Sequence, residues 1–323
     1  MTRPLTLLVA AEEAAGLQLL QALAKTPHRI AAVLASGQAA AGTSVRQAAE
    51  TAGLRVLPAE RVRDPAFAET IRAEGVDLML NAHSLHIVCP AVLEAPRFGA
   101  WNLHPGPLPR YAGLNAPSWA IFRGESRHAV TLHRMAAEID AGPIAYEASF
   151  PIGPEDAALH LYVKCTRLGV PLMLRLVEAF AADAGGPPLR PMLPMGRQVF
   201  GRKPPNGGRV DWDWPAETVA AFVRACDFGP FPSPWGAPLA LLDGQEVGLS
   251  RTRPGRRGRS GAAPGTVLSV DGIVAEIACG DGSVLVSQLV IDGRRQPAGD
   301  VLSPGRRLSG RSLHSQPVQV PTP

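Results

Sequence analysis

Three side chains of this chain could serve a single polar reaction: Asn102, His104 and Asp140. An amide can donate to a developing oxyanion, an imidazole can move a proton near neutral pH, and a carboxylate can orient that imidazole or accept a proton itself. Asn102 and His104 are one residue apart and run into Pro105-Gly106-Pro107-Leu108-Pro109-Arg110-Tyr111-Ala112-Gly113. The prolines stiffen that loop, and the glycines let another group approach the backbone. Asp140 stands in a separate turn, Ile139-Asp140-Ala141-Gly142. Taken alone, the first pair could cap a loop and the aspartate could simply start a turn. Their combination with a stiff loop points to a site.

The elements that would position these groups can be read from hydrophobic periodicity. Leu5–Ala10, Ile30–Leu34, Leu54–Leu57 and Val76–Asn81 are short apolar runs, and they alternate with helical patterns over Leu17–Leu23, Val45–Ala52 and Phe67–Ala73. This order predicts an α/β fold, a Rossmann-like parallel sheet covered on both faces. Gly99–Leu103 is the next strand, so Asn102 and His104 fall at its end. In open α/β sheets ligands bind beyond the carboxyl ends of the strands. Val130–Met135 and Ile144–Pro151 are further strands. Asp156–Phe180 is a long amphipathic helix, with Leu159, Val163, Leu172, Leu176 and Phe180 expected inward. His133 alternates into the same sheet and reads first as a packed or surface histidine and only second as a neighbour of the site; His83 and His86 are similarly ambiguous. Tyr111 could order the loop or touch a substrate.

The remainder is organised differently. Ala184–Gly208 is rich in Pro and Gly and reads as a linker, with Gln198–Pro204 extended across the first domain. A short helix is expected over Thr218–Cys226. Strands follow at Ala240–Arg251, Gly265–Val270, Ile273–Ala278 and Ser283–Val290, with turn signals at Asp243-Gly244, Asp271-Gly272 and Asp281-Gly282. They suggest a small β-barrel. The expected layout is a catalytic domain at 1–183, a linker at 184–208, a barrel domain at 209–310 and a disordered tail at 311–323.

Composition narrows the chemistry. At 323 residues and 46% hydrophobic content, the chain can build two cores. No apolar run approaches the ~20 residues of a membrane helix, so no membrane partner is expected. The run Leu5–Ala11 stops at Glu12-Glu13 and reads as a first strand, not a signal peptide. Cys89, Cys165, Cys226 and Cys279 lack metal-ligand spacing, no metal is expected, and a reducing cytoplasm is the simplest setting. After the first strand comes Ala10-Ala11-Glu12-Glu13-Ala14-Ala15-Gly16, with acidic residues where a pyrophosphate would bind and no G-x-G-x-x-G. That argues against a nicotinamide dehydrogenase. Net charge is +4, and Lys25, Lys164 and Lys203 are the only lysines. Arginine is favoured throughout. The basic run Arg251, Arg253, Arg256, Arg257 and Arg259 therefore reads as a solvated loop before it reads as a nucleic-acid contact.

The motif Asn102-x-His104-Pro105, then Leu108-Pro109-x-Tyr111-x-Gly113, then Asp140-x-Gly142 resembles the signature of the folate-dependent formyltransferases. That family includes methionyl-tRNA formyltransferase and the nucleotide-sugar N-formyltransferases. The resemblance spans about residues 5 to 310. It implies that 10-formyltetrahydrofolate is the co-substrate, that Asn102, His104 and Asp140 are catalytic, and that the C-terminal barrel resembles an oligonucleotide-binding fold. It further implies that the pterin enters between Ser84–Val88 and Ala137–Gly142, with Leu85, His86, Ile87, Val88, Ile139, Asp140 and Gly142 as cofactor-binding residues. Pro105, Leu108, Pro109, Tyr111, Gly113 and Asn115 form the expected substrate loop. The Ser84–Val88 segment departs from the Tyr-Gly-Leu-Ile-Leu pattern of the tRNA enzymes.

Two stretches bear on the acceptor. In the tRNA enzymes a basic insertion after the second strand grips the acceptor stem. Here Leu34–Val45 carries no charge at all, and phosphate recognition without Lys or Arg is hard to arrange. Leu114-Asn115-Ala116-Pro117-Ser118-Trp119 and Phe228–Trp235 are similar to runs in formyltransferases of nonribosomal peptide and polyketide pathways. The expected acceptor is therefore an amine of specialised metabolism, free or bound to a carrier protein, with nucleic acid disfavoured. The alternatives are a tRNA enzyme, a sugar-nucleotide enzyme, and a formyl-folate hydrolase or folate-binding protein.

Overall fold

The computed structural model describes residues 3–37, 42–258 and 260–310. The expected tail at 311–323 lies outside them. The elements run β1 (Thr6–Ala11), α1 (Glu13–Leu23), β2 (Arg29–Ala35), α2 (Val45–Thr51), β3 (Val56–Pro58), α3 (Phe67–Ala73), β4 (Leu78–Ala82), α4 (Pro90–Leu93) and β5 (Ala100–His104). They continue with β6 (Ala112–Gly113), α5 (Ala116–Phe122), β7 (Arg127–Arg134), β8 (Ile144–Pro151), α6 (Ala158–Ala182), β9 (Val199–Phe200) and α7 (Ala216–Ala225). The last are β10 (Leu239–Leu242), β11 (Gln245–Arg257), β12 (Val267–Asp271), β13 (Val274–Ala278), β14 (Gly282–Ile291), β15 (Arg294–Pro297), α8 (Ala298–Val301) and β16 (Leu308–Ser309). The chain divides into two units. One holds Met1–Ala116, Arg127–Pro151 and Tyr162–Phe200; the other holds Pro117–Ser126, Ile152–Leu161 and the chain from Gly201 onward.

The first unit is a seven-stranded sheet in the order β3-β2-β1-β4-β5-β7-β8. Its strands β1 to β5 pair in parallel, as the β-α-β alternation predicts. Strands β1 and β4 are buried almost throughout, which is why they read as continuous apolar runs and not as alternating ones. Leu8, Leu34, Phe67, Ile71, Met79 and Val92 close one face in a shared cluster. Burial of such side chains contributes roughly 1.5–3 kcal/mol each.

One expectation for this unit is extended and one corrected. Beyond the expected parallel strands, β7 runs antiparallel to β5 and to β8. Apolar alternation reports which face a residue takes, but not the direction of its strand. In α6 the inward stripe is Ala158, Leu161, Cys165, Met173, Leu176, Val177 and Phe180. It follows i, i+3, i+4 spacing. Val163, two residues past Leu161, is turned to the opposite side and is exposed.

The second unit is antiparallel, in the order β12-β13-β14-β11-β10-β16 with β15 beside β14. Val267 N–H donates to the Arg306 carbonyl, Gly305 N–H to Val267 and Leu308 N–H to Gly265. These bonds draw the last strand back to the first, so the sheet curls as a barrel does. The stretch Ala240–Arg251, with its turn signal at Asp243-Gly244, is a hairpin of β10 and β11. Asp243 (φ 50°) and Gly244 (φ 86°) supply its turn. Consequently Arg251, Arg253, Arg256 and Arg257 stand on a strand and not in a loop; Arg259 lies outside the described residues.

Candidate active site

The carboxyl edge of the first sheet gathers the polar side chains. Asn102 pairs in register with Asn81 of β4 on one side and with His133 of β7 on the other. His104 pairs with Thr131. Asp140 arrives from the turn between β7 and β8 in a left-handed conformation, φ 49°. Aspartate tolerates that region better than most side chains.

Asp140 is held on several sides. Its Oδ1 accepts from Asn102 Nδ2 at 3.3 Å and lies 3.2 Å from His133 Nε2. Its Oδ2 accepts from the Gly113 N–H at 2.8 Å and lies 3.4 Å from His104 Nδ1. The far nitrogens of both imidazoles are committed. His104 Nε2 is 2.6 Å from the Tyr111 carbonyl, and His133 Nδ1 is 2.9 Å from the Arg134 carbonyl. A carbonyl can only accept, so each ring carries its hydrogen on the nitrogen facing the backbone. In His104 the nitrogen that gains or loses a proton therefore faces the Asp140 carboxylate. Asn102 Nδ2 also lies 3.2 Å from His133 Nε2 and can donate to it.

These groups are almost dry: His104 is 3% exposed and the Asp140 side chain 9%. Burial pushes the His104 imidazole below its usual range, and Asp140 opposes that shift. Burial by itself would raise the Asp140 carboxyl. The neighbouring His104, His133 and the Gly113 N–H outweigh it and hold the carboxyl well below the usual range. The site at neutral pH is thus an ionised carboxylate beside a neutral imidazole.

The loop predicted to carry substrate contacts is tied down throughout. The Pro105 carbonyl accepts from His128 Nε2 at 2.9 Å, and the Gly106 carbonyl accepts from Thr131 Oγ1 at 2.7 Å. Leu108 packs with Ala112 and Ile144. The Pro109 carbonyl accepts from Gln198 N–H. Tyr111 is buried and stacked on Phe200 at 5.4 Å, so its ring orders the loop. Asn115 takes a left-handed φ of 59° at the loop's end. A Cβ on Gly106 would come within 2.9 Å of His104 Nε2 and 2.8 Å of Ala116 Cβ; one on Gly142 would come within 1.9 Å of the Arg134 carbonyl. Both glycines are therefore required by close approach.

The expected cofactor segment borders a cleft of about 330 Å³ lined by Arg63, Ile87, Val88, Cys89, Pro90 and Ala137. Leu85, Ile87 and Ile139 are exposed despite their size. Val88 is buried, and His86 Nδ1 is buried with no hydrogen-bond partner. A cleft of about 390 Å³ lies in the second unit among Arg256, Leu268, Glu276 and Ser283, and holds none of these residues. Sequence reasoning left His133 open and gave no role to Thr131 or Arg197: strand order brings His133 beside Asn102, Thr131 lies two residues before it, and Arg197 meets the Asp140 turn. The alternation of Thr131 and His133 on one strand is the signal that could have found the first two.

The N-terminal part, residues 7–177, matches the family model described as formyl transferase, and residues 203–304 match the model for the formyl transferase C-terminal domain. The chain belongs to the formyl transferase family. Among its curated relatives, the methionyl-tRNA formyltransferase of Solibacter usitatus (strain Ellin6076) is 29% identical over 306 residues, 90% of this chain and 92% of the relative. Two solved structures share the fold. HypX from Aquifex aeolicus in complex with tetrahydrofolic acid is 21% identical, with a TM-score of 0.58 over 91% of this chain. This chain spans just under half of HypX, 46% of its length. The N-formyltransferase from Helicobacter canadensis, in complex with folinic acid and dTDP-3-aminofucose, is 17% identical with a TM-score of 0.66 over 87% of this chain and 98% of that one. The chemistry of the chain is that of a formyl-transferring enzyme.

Proposed function

We propose that the protein moves a formyl group from 10-formyltetrahydrofolate to the amine of a small or carrier-tethered acceptor. The observation that carries this reading is the dry Asp140 carboxylate held between two imidazoles and an amide. The cleft fits a folate in kind. Ile87, Val88 and Ala137 line it with apolar surface for a flat ring, and Arg63 offers a cation to a carboxylate tail; Leu85, His86 and Ile139 belong to the two flanking segments, where Leu85 and Ile139 are exposed and His86 Nδ1 has no hydrogen-bond partner. Val88, Gly142 and the backbone of 137–142 complete the proposed cofactor wall. Residues 1–183 would carry the chemistry, with 184–208 as connector and 209–310 as the barrel domain.

When bound, the folate supplies an activated formyl carbon. The remaining work falls to this chain. Asn102 Nδ2 keeps one hydrogen on Asp140 Oδ1 and turns the other from His133 Nε2 to the developing oxyanion, a role that contributes about 3–4 kcal/mol in such sites. The proton released by the attacking amine enters the Asp140–His104 pair. It rests on His104 Nδ1 against the Asp140 carboxylate, a charge-assisted contact, and passes to the folate nitrogen that departs as its bond to the formyl carbon breaks, while the Tyr111 carbonyl keeps the ring from turning. His133 shares the carboxylate from the other side. The loop Pro105, Leu108, Pro109, Tyr111, Gly113 and Asn115 forms the acceptor side.

For the acceptor, the uncharged Leu34–Val45 favours an amine without a polyphosphate backbone, and the runs Leu114–Trp119 and Phe228–Trp235 favour specialised metabolism. The printed names of the curated relatives favour a second reading, initiator methionyl-tRNA. A cytoplasmic setting belongs to the proposal, on four cysteines free of disulfides. The test is a panel of amines, carrier-bound amines and methionyl-tRNA, each offered with 10-formyltetrahydrofolate and followed by mass spectrometry. Formylation of methionyl-tRNA alone would replace the acceptor class proposed.

A further inference from the structure

The segment that leaves the first unit does more than connect. Arg197 lies within it and reaches the turn that carries Asp140. Its Nη2 donates to the Ile139 carbonyl at 2.6 Å, and its Nη1 donates to the Asp140 carbonyl at 3.4 Å. Its Nε and Nη2 also meet Glu138 Oε1 at 3.2 and 2.9 Å. The Arg197 side chain is only 14% exposed, whereas Glu138 is 70% exposed. An exposed ion pair contributes little. The two carbonyl bonds are the specific ones, because a guanidinium can serve two acceptors from one rigid fork.

The same segment grips the other side of the site. Ala112 N–H donates to the Gln198 carbonyl and Leu114 N–H to the Phe200 carbonyl, so β9 pairs with β6 across Gly113. A Cβ at 113 would stand 2.3 Å from the Phe200 carbonyl, which explains a glycine with φ 86° there. Gly113 is the residue whose N–H binds Asp140 Oδ2. One stretch of four residues, 197–200, thus fixes both the backbone of Asp140 and the backbone donor that meets its carboxylate.

We propose that Arg197 is a positioning residue for formyl transfer: it holds the left-handed 139–140 turn so that Asp140 faces His104. The inference rests on the function proposed above. The carboxylate reaches two imidazoles only from this turn, and Arg197 holds two consecutive carbonyls in it. Without the fork, the turn loses its side-chain anchor and Asp140 retreats from His104.

The experiment compares wild type with Arg197→Met, Arg197→Lys and, as control, Arg190→Ala. Arg190 sits in the same segment, but its side chain only meets Glu147 at the surface. Formyl transfer is measured across pH, with kcat and KM separated. Arg197→Met should lower kcat on the order of 10- to 100-fold, as expected for a misplaced reacting group, with little change in KM for the acceptor. Arg197→Lys should recover part of the loss, and Arg190→Ala should match wild type. The acid limb of the profile reports His104, which faces Asp140 and His133 with His83 further off. Removing the carboxylate from its side should move that limb to lower pH in Arg197→Met; a general loosening of the fold would hydrate the ring and move it up instead. Wild-type kcat in Arg197→Met, or a reduced kcat with an acid limb unmoved or raised, overturns the inference. If wild type itself transfers no formyl group, the proposed function fails instead.

Discussion

Replacing Asp140 by Asn tests the site at its centre. The change keeps size and shape and leaves an oxygen able to accept from the Gly113 N–H. It removes the charge that faces His104 Nδ1 at 3.4 Å, where both side chains are nearly dry. A unit charge at 3.4 Å contributes about 5 kcal/mol at an effective dielectric constant near 20. If His104 is protonated during transfer, that stabilisation is lost when the proton arrives. At about 1.4 kcal/mol per decade, turnover should fall on the order of a thousandfold. The binding of folate and acceptor should change far less, because neither needs the proton to have moved. The assay is single-turnover formyl transfer with saturating 10-formyltetrahydrofolate, accompanied by a melting curve to show that the variant is folded. A folded Asp140→Asn variant retaining more than about a tenth of wild-type turnover would refute the role given to the carboxylate.

Further predictions follow from individual contacts. Gly106→Ala should displace the His104 ring from the Tyr111 carbonyl, since the new Cβ meets His104 Nε2 and Ala116 together; overpacking costs about 1–3 kcal/mol of stability, and activity should fall more than melting temperature suggests. The pH profile of kcat/KM should lose activity as pH falls, with its acid limb below the ordinary imidazole value of 6.5, because burial pushes His104 down and the neutral ring is the working form. His128 is held neutral by burial, its imidazole pushed down to about 4 in the folded state. The unfolded chain therefore protonates first, and stability drains away between pH 6.5 and 4, by about 3 kcal/mol from this residue; denaturant titrations of His128→Gln should show a correspondingly flatter dependence over that window. Arg63→Ala should weaken binding of folate more than that of a pterin lacking the carboxylate tail, as measured by calorimetry.

Much of the site was legible because its chemistry is local in sequence. Asn102 and His104 share one strand end, and the stiff loop after them is written in prolines and glycines. The strands leading there were legible because both faces are buried, which leaves uninterrupted apolar runs at β1 and β4. What escaped was non-local. His133 is one histidine in an apolar strand until β7 lies against β5 and brings it to Asn102. Arg197 sits in a stretch that reads as linker, and only the path of the chain carries it to the Asp140 turn. The antiparallel direction of β7 and β8 has no signature in alternation, and the phase of α6 went astray at Val163 because apolar residues also occur off its buried stripe.

The most direct test of the account is product analysis of the intact protein with 10-formyltetrahydrofolate and an amine panel. The predicted result is an amine that gains one CO unit in mass, in equal amount to the tetrahydrofolate released, with both products lost together in Asn102→Ala and His104→Ala. Tetrahydrofolate and formate released at full rate with no formylated amine would contradict it.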